Sequence, residues 1–172
     1  MTENATRTTG WPLHRVTGVD VWPYRMVDGA AEFLLLHRSG LSGAPFWQGV
    51  SGWIEPHEAP HLAAVRELRE ETGLEAAELF TVDAVFDLYN WHRGTVDAIV
   101  PFAAVLVGEA DPVLSDEHDD WRWAPLTEAI GRVPYEPQRA ALRAISADLL
   151  ERPELAHLYR IEASSRGPEK SR

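Results

Sequence analysis

The sequence predicts an α/β fold, a mixed central sheet covered by helices on both faces. Three observations carry that expectation. Short apolar runs of strand character, Phe33-Leu34-Leu35-Leu36 first among them, alternate with segments of helical period. One helix with a clear start and stop stands mid-chain, and an amphipathic helix stands near the end. A length of 172 residues suits one domain built on a single substantial core.

Taken in order, Val16 to Tyr24 alternates well enough for a strand, and Pro23 puts its end at a sheet edge. Phe33 to Leu36 reads as a buried strand with Arg38 at its exit. Ser39 to Pro45 is a Gly/Ser/Pro loop leading into Phe46-Trp47-Gln48. The next helix starts near Ala59 or Pro60, because proline suits a first turn whose N–H has no partner anyway. Gly73 suits its stop. Leu79 to Leu88 and Ala98 to Val107 read as strands, joined by the polar and aromatic connection Tyr89 to Val96. Trp121-Arg122-Trp123 is a short strand, Leu126 to Ile130 one or two helical turns, and Gln138 to Leu150 an amphipathic helix. Residues 1–10 and 161–172 read as a disordered arm and tail, leaving 11–160 as the domain.

Composition narrows the function. Hydrophobic content of 45% and charged content of 25% are ordinary for a globular chain. A net charge of −11 argues against nucleic-acid binding, which needs clustered Lys and Arg to displace counterions. It says less about a nucleotide, because a bound metal reverses the local sign around carboxylates. No apolar run approaches the length of a membrane span, and the polar start MTENATRTTG lacks a signal-peptide core. The absence of cysteine removes disulfides, thiolate metal sites and cysteine nucleophiles together. A cytoplasmic enzyme with no membrane partner is expected, and a homodimer stays open.

The chemistry concentrates in residues 52–74, GWIEPHEAPHLAAVRELREETGL. Gly52, Glu58, Arg66-Glu67-Leu68, Glu70-Glu71 and Gly73-Leu74 stand there at fixed offsets. On a helix of about 100° per residue, Glu67, Glu70 and Glu71 fall within about 100° of one another. Leu62, Val65 and Leu68 fall on the other side. Like charges at this spacing destabilise a helix by a few tenths of a kcal/mol. A hard divalent cation, which prefers carboxylate oxygen, would offset that repulsion.

The segment matches the Nudix box, G-x5-E-x7-R-E-U-x-E-E-x-G-U with U aliphatic, at every specified position. Such a coincidence arises on the order of once in a million windows or fewer. Softer likeness extends over about residues 14 to 150 through EFLLLHR, FWQGVSG and EHDDWRW. The chain therefore resembles the Nudix hydrolases. Its wording is most similar to the bacterial dihydroneopterin triphosphate pyrophosphatases, also described as dATP pyrophosphohydrolases, with diadenosine polyphosphate hydrolases close behind.

That resemblance implies a Nudix α/β/α sandwich with a mixed central sheet. It also implies a Mg²⁺-dependent enzyme, with Mn²⁺ as a substitute, acting on a small-molecule nucleotide or pterin triphosphate to release a monophosphate and pyrophosphate. Glu70 and Glu71 become the principal metal ligands, joined by Glu67 and the Gly52 carbonyl. Arg66 orients the catalytic glutamates by ion pairing, and Glu58 bonds loop backbone or completes that network. Glu117, in the Glu-His pair before Trp121-Arg122-Trp123, becomes a metal ligand or the base that activates water. The general base stays open between Glu67, Glu70 and Glu117. Arg38 matches a basic residue used against substrate phosphate, and Trp47 and Gln48 stand in a wording shared with polyphosphate hydrolases. Trp47 either lines a base pocket or wedges the core. Tyr89, Asn90 and Trp91 form a polar and aromatic connection where a purine or pterin ring could stack. One departure is His57, where many boxes carry glycine; histidine tolerates a positive φ better than most residues.

Other readings stand beside this one. Diadenosine polyphosphate cleavage is the alternative, supported by FWQ and by the position of Tyr89 after the box. ADP-ribose hydrolysis is less favoured, since no proline lies between Glu75 and Pro101. Isopentenyl diphosphate isomerisation needs a cysteine that is absent, and a non-catalytic sensor would show an eroded box.

Overall fold

The computed structural model describes residues 13–39, 44–108 and 110–162, with backbone alone for Leu13 and His14. The expected N-terminal arm, residues 163–172 of the tail and part of the Ser39–Pro45 loop lie outside the described residues. Among the described residues eight strands form one mixed sheet: β1 (Leu13–Val27), β2 (Ala30–Arg38), β3 (Phe46–Gln48), β4 (Val50–Trp53), β5 (Ala76–Thr81), β6 (Phe86–Asn90), β7 (Thr95–Leu106) and β8 (His118–Pro125). Three α-helices, α1 (Pro60–Thr72), α2 (Leu126–Arg132) and α3 (Glu136–Ile145), cover it.

β1 is the hub. It runs parallel to β7 on one side and antiparallel to β4 and β2 on the other. Pro23 is therefore central in the sheet and not at an edge. It falls between the β4 pairing, which ends at Val21, and the β2 pairing, which begins at Tyr24, so no partner faces it on that side. β7 continues outward to β5 and β6, and β2 to β3 and β8.

Each strand sends alternate residues into two cores. Val19, Val21, Leu34, Leu36 and Phe102 pack beneath α1, against Ala63, Ala64 and Leu68. Trp22, Tyr24, Phe33, Leu35 and Ala103 pack on the opposite face, against Ala129 of α2 and Ala141, Leu142 and Ile145 of α3. The run Phe33 to Leu36 is continuously apolar because both of its faces are covered.

Three details depart from expectation. Leu79 to Leu88 divides into β5 and β6, since Val82 to Val85 turns the chain from one half of β7 to the other. Gln138 to Leu150 is α3 followed by a wider π turn at Ser146–Leu150, then a 3-10 helix at Pro153–Leu158. Ile161, assigned to the tail, donates its N–H to the Leu79 carbonyl at 2.8 Å and so extends the domain past residue 160.

Helix α1 begins as expected, with Pro60 in its first turn, and ends on Gly73 at φ 67°, whose N–H caps the Arg69 carbonyl at 2.8 Å. Its orientation is the surprise. Leu68 is fully buried, a burial that contributes about 1.5–3 kcal/mol. Leu62 and Val65 are exposed, while Glu71 is buried beside Ala64 and Leu68. The helix therefore turns Glu71 toward the sheet together with Leu68, and leaves Leu62 and Val65 outside.

Candidate active site

That orientation is held by one arginine. Arg66 grips Glu58 bidentately, Nε to Oε1 at 2.9 Å and Nη2 to Oε2 at 2.8 Å. Its Nη1 donates to Glu67 at 2.8 Å and to Glu70 at 3.0 Å, and its Nη2 also donates to the Trp53 carbonyl at 2.9 Å. The guanidinium thus ties the loop to the helix. Hydrogen bonds from Arg66 hold the Glu58 carboxyl below its ordinary range, and the Arg66 pKa rises in return. The loop closes with Glu55 N–H donating to Glu58 Oε2 at 3.0 Å, and His57 sits at φ 69°, as a substitute for glycine must.

Glu67 and Glu71 reach a cavity of about 790 Å³ that opens beside β4. Gly52 makes room for this: a Cβ there would stand 1.9 Å from the Glu67 carboxyl carbon. Burial raises the Glu67 pKa, with Arg66 opposing. Glu71 is pushed up to about 8 by burial, opposed by the Ser51 N–H at 3.3 Å and by Arg38, and raised further by Glu67 and Glu117. Glu117 and Arg38 form the facing wall, paired at 3.1 Å. Glu70 is different: its side chain is 58% exposed and, beyond its bond to Arg66, it does not line the cavity.

The other end of the cavity is apolar and aromatic. Phe86, Leu88 and Ile99 of the sheet meet Phe46, Tyr135 and Pro137, with Phe46 and Tyr135 edge to face at 5.5 Å. Asp20 lies in this end on β1, only 3% exposed, and burial pushes its pKa up to about 8. The Trp22 indole N–H, on the same strand face, opposes that rise by hydrogen bonding toward Asp20, although the pair stands outside close hydrogen-bond geometry.

Several residues expected at the ring pocket stand elsewhere. Trp47 packs beside His37, with Arg122 and Arg132 over its ring at 5.2 and 5.5 Å, so it serves as a wedge. Gln48 is buried and donates its amide to His118 Nε2 at 3.2 Å, which anchors the residue beside Glu117. Tyr89 and Trp91 are exposed and outside the cavity, which takes Phe86, Asp87 and Leu88 from β6, and Trp91 stacks on His92 in the turn. Asp20, Phe46, Tyr135 and Gln138 were not foreseen. For Asp20 a signal existed: an acid in the middle of the apolar strand Val19-Asp20-Val21 conflicts with its own surroundings.

A family model for the NUDIX domain matches residues 14–149, and the chain belongs to that family. Members of the family act on small-molecule nucleotides and generally use a divalent cation such as Mg²⁺; this chain is a Nudix hydrolase of phosphorus anhydrides. It is 32% identical over 127 residues to the asymmetrical bis(5'-nucleosyl)-tetraphosphatase of Caenorhabditis elegans, covering 73% of this chain and 91% of that protein. The enzyme of the same name from Mus musculus is 31% identical, covering 69% and 81%. A solved C. elegans Ap4A hydrolase binary complex superposes with a TM-score of 0.66 at 31% identity, covering 78% and 98%. The Escherichia coli dihydroneopterin triphosphate pyrophosphohydrolase superposes at 0.60 with 23% identity, covering 73% and 91%, a likeness of fold alone.

The residues present fit a hard cation. Glu67 and Glu71 are carboxylates crowded in one partly desolvated place, and the mutual repulsion raising Glu71 asks for positive charge. Among the described residues no three acidic or histidine side chains already close around one point. Mg²⁺ does not require that, since it binds through one or two carboxylates plus waters and substrate phosphates. Also among the described residues, no helix is long and apolar enough to cross a membrane.

Proposed function

We propose that the enzyme cuts the polyphosphate bridge of a dinucleoside tetraphosphate asymmetrically, releasing a nucleoside triphosphate and a nucleoside monophosphate. One observation carries this reading: a single cavity joins the carboxylates of Glu67, Glu71 and Glu117 to a chamber lined by aromatic rings. The chamber receives one base, and the bridge crosses the charged end toward the open side. Similarity to two asymmetrical tetraphosphatases over most of their length supports the choice of bridge.

Glu67 and Glu71 would hold the cation, with Gly52 leaving the space beside them. When bound, Mg²⁺ supplies charge neutralisation for the bridge phosphates and a more acidic water. Arg38 meets a bridging phosphate from the facing wall. Glu117, paired with Arg38, takes the proton of the attacking water. The new P–O bond forms as the anhydride P–O bond opposite it breaks, and the leaving phosphate carries away the charge. Arg66 and Glu58 position Glu67 and touch no reacting atom. Glu70 supports them from outside.

A second reading is a nucleoside or pterin triphosphate releasing pyrophosphate, favoured by the chamber's accommodation of a single ring system. Product chromatography separates the two. With Mg²⁺, a dinucleoside tetraphosphate should give triphosphate plus monophosphate. Pyrophosphate from dNTPs or dihydroneopterin triphosphate as the faster reaction would replace the first reading with the second.

A further inference from the structure

One aromatic side chain at the mouth of the cavity belongs to neither core. Among the described tryptophans, Trp22 is buried on the α3 face, and Trp47, Trp121 and Trp123 pack against a core. Trp91 stands outside the cavity, stacked on His92. Trp53 alone of them lines the cavity, and it does so 54% exposed. An indole left in water forgoes the burial that the other tryptophans obtain. Beside a concave site such a ring is surface for a ligand.

The sheet builds a shelf around it. Trp53 of β4 pairs with Gly18 of β1, Gly18 with Ile99 of β7, and Ile99 with Phe86 of β6, so the four stand in one row on one face. Gly18 keeps the row low: a Cβ there would stand 2.8 Å from Ile99 Cδ1 and 3.8 Å from Trp53 Cε3. Ile99, Phe86 and Leu88 line the cavity together with the indole. Behind the ring, the Arg93 guanidinium stands 5.0 Å from its centroid without lining the cavity. This cation–π contact fixes the indole and leaves its cavity side open. The backbone is fixed too, since the Trp53 carbonyl accepts from Arg66 Nη2 at 2.9 Å and the Ile54 N–H donates to the Thr17 carbonyl at 2.9 Å. Successive residues of β4 face opposite ways, so Gly52 opens toward Glu67 while Trp53 turns to the shelf. A ring lying on Trp53 therefore stands one residue from the charged end.

We propose that Trp53 is the stacking platform for the substrate's ring, holding purines and pterins alike by their π faces and setting the attached phosphates at the carboxylates. The proposal rests on the ring chamber of the proposed reaction. Stacking does not read the donors and acceptors on a ring's edge, so Trp53 selects for an aromatic ring and not among bases. An aliphatic side chain of similar bulk cannot replace it. Phenylalanine, with a smaller face, replaces it in part.

The test is metal-free titration calorimetry on the full chain with AMP, GMP and ribose 5-phosphate, the last carrying sugar and phosphate without a base. Trp53→Ala should weaken AMP and GMP alike by about 10-fold, Trp53→Leu by nearly as much, and Trp53→Phe by no more than about 3-fold. Ribose 5-phosphate should not distinguish Trp53→Ala from the parent. Because the side chain is exposed, all three variants should melt within about 3 °C of the parent. AMP should also quench tryptophan emission in the parent, and most of that quench should vanish in Trp53→Phe although binding persists. Unchanged AMP affinity in Trp53→Ala, equal losses in Trp53→Leu and Trp53→Phe, a quench that survives Trp53→Phe, or no binding of AMP and GMP to the parent would overturn the proposal. Hydrolysis does not enter this test. Loss of the platform leaves the proposed reaction standing, and failed hydrolysis with the platform intact removes the reaction alone.

Discussion

The two ends of the cavity are built on opposite principles. At the charged end nearly every polar group is already bonded: Arg66 alone engages Glu58, Glu67, Glu70 and the Trp53 carbonyl. At the ring end Asp20 and Gln138 each bury an oxygen without a close hydrogen-bond partner among the described residues. One end is wired in advance to hold geometry, while the other stores unmet bonding. Positioning a reaction demands rigid carboxylates, and recognising a molecule demands groups that gain by meeting it.

Substitutions can break the contrast at either end. The largest expected effect is Glu117→Gln, which should lower kcat by about 10²–10⁴-fold while KM moves little, as loss of a general base does. Steady-state kinetics would check it, and an unchanged kcat would return the role to Glu67. Next comes Arg66→Ala, which leaves Glu58 and Glu67 half-buried without a counter-charge. It should cost about 3 kcal/mol in denaturant unfolding as well as activity. Gly52→Ala is subtler, since the new methyl displaces the Glu67 carboxylate. Turnover should fall by about 10-fold or more with nearly unchanged stability, because a small misplacement at the chemistry is costly.

The ring end has a pH signature. Asp20 rises from 3.8 unfolded to about 8 folded, so the folded state holds its proton more tightly. Its contribution to stability is full below pH 4 and is lost as pH climbs toward 8. Glu71 adds to the same trend, from 4.5 to about 8. Asp20→Asn should therefore raise stability by about 2 kcal/mol at pH 8 and by little at pH 4. Melting curves at the two pH values decide it; equal shifts at both would show that the carboxyl is not strained by burial. The smallest effect belongs to His57→Gly, which relieves a positive φ and should stabilise by about 0.5–1 kcal/mol.

The same contrast explains what could be read from residue order. The charged end lies within one stretch from Gly52 to Gly73, so its spacing carries helix, cap, arginine clamp and carboxylates together. The register that buries Glu71 and exposes Leu62 and Val65 did not follow from the helical wheel, because the wheel ranks apolarity while the sheet beneath decides the inward face. The ring end takes Asp20 from β1, Phe46 from β3, Phe86 from β6 and Gln138 from α3, and no local pattern records that meeting. Trp47, Tyr89 and Trp91 are aromatic residues that the local wording offers, yet Trp47 packs beside His37 and Tyr89 and Trp91 stand exposed.

The central claim is that chemistry and recognition occupy separable ends of one cavity. Glu71→Gln tests it most directly, measured for both dinucleoside tetraphosphate turnover with Mg²⁺ and mononucleotide binding without metal. Turnover should fall by at least about 100-fold while mononucleotide affinity stays within about 2-fold of the parent. Unchanged turnover, or binding lost together with it, would contradict the account.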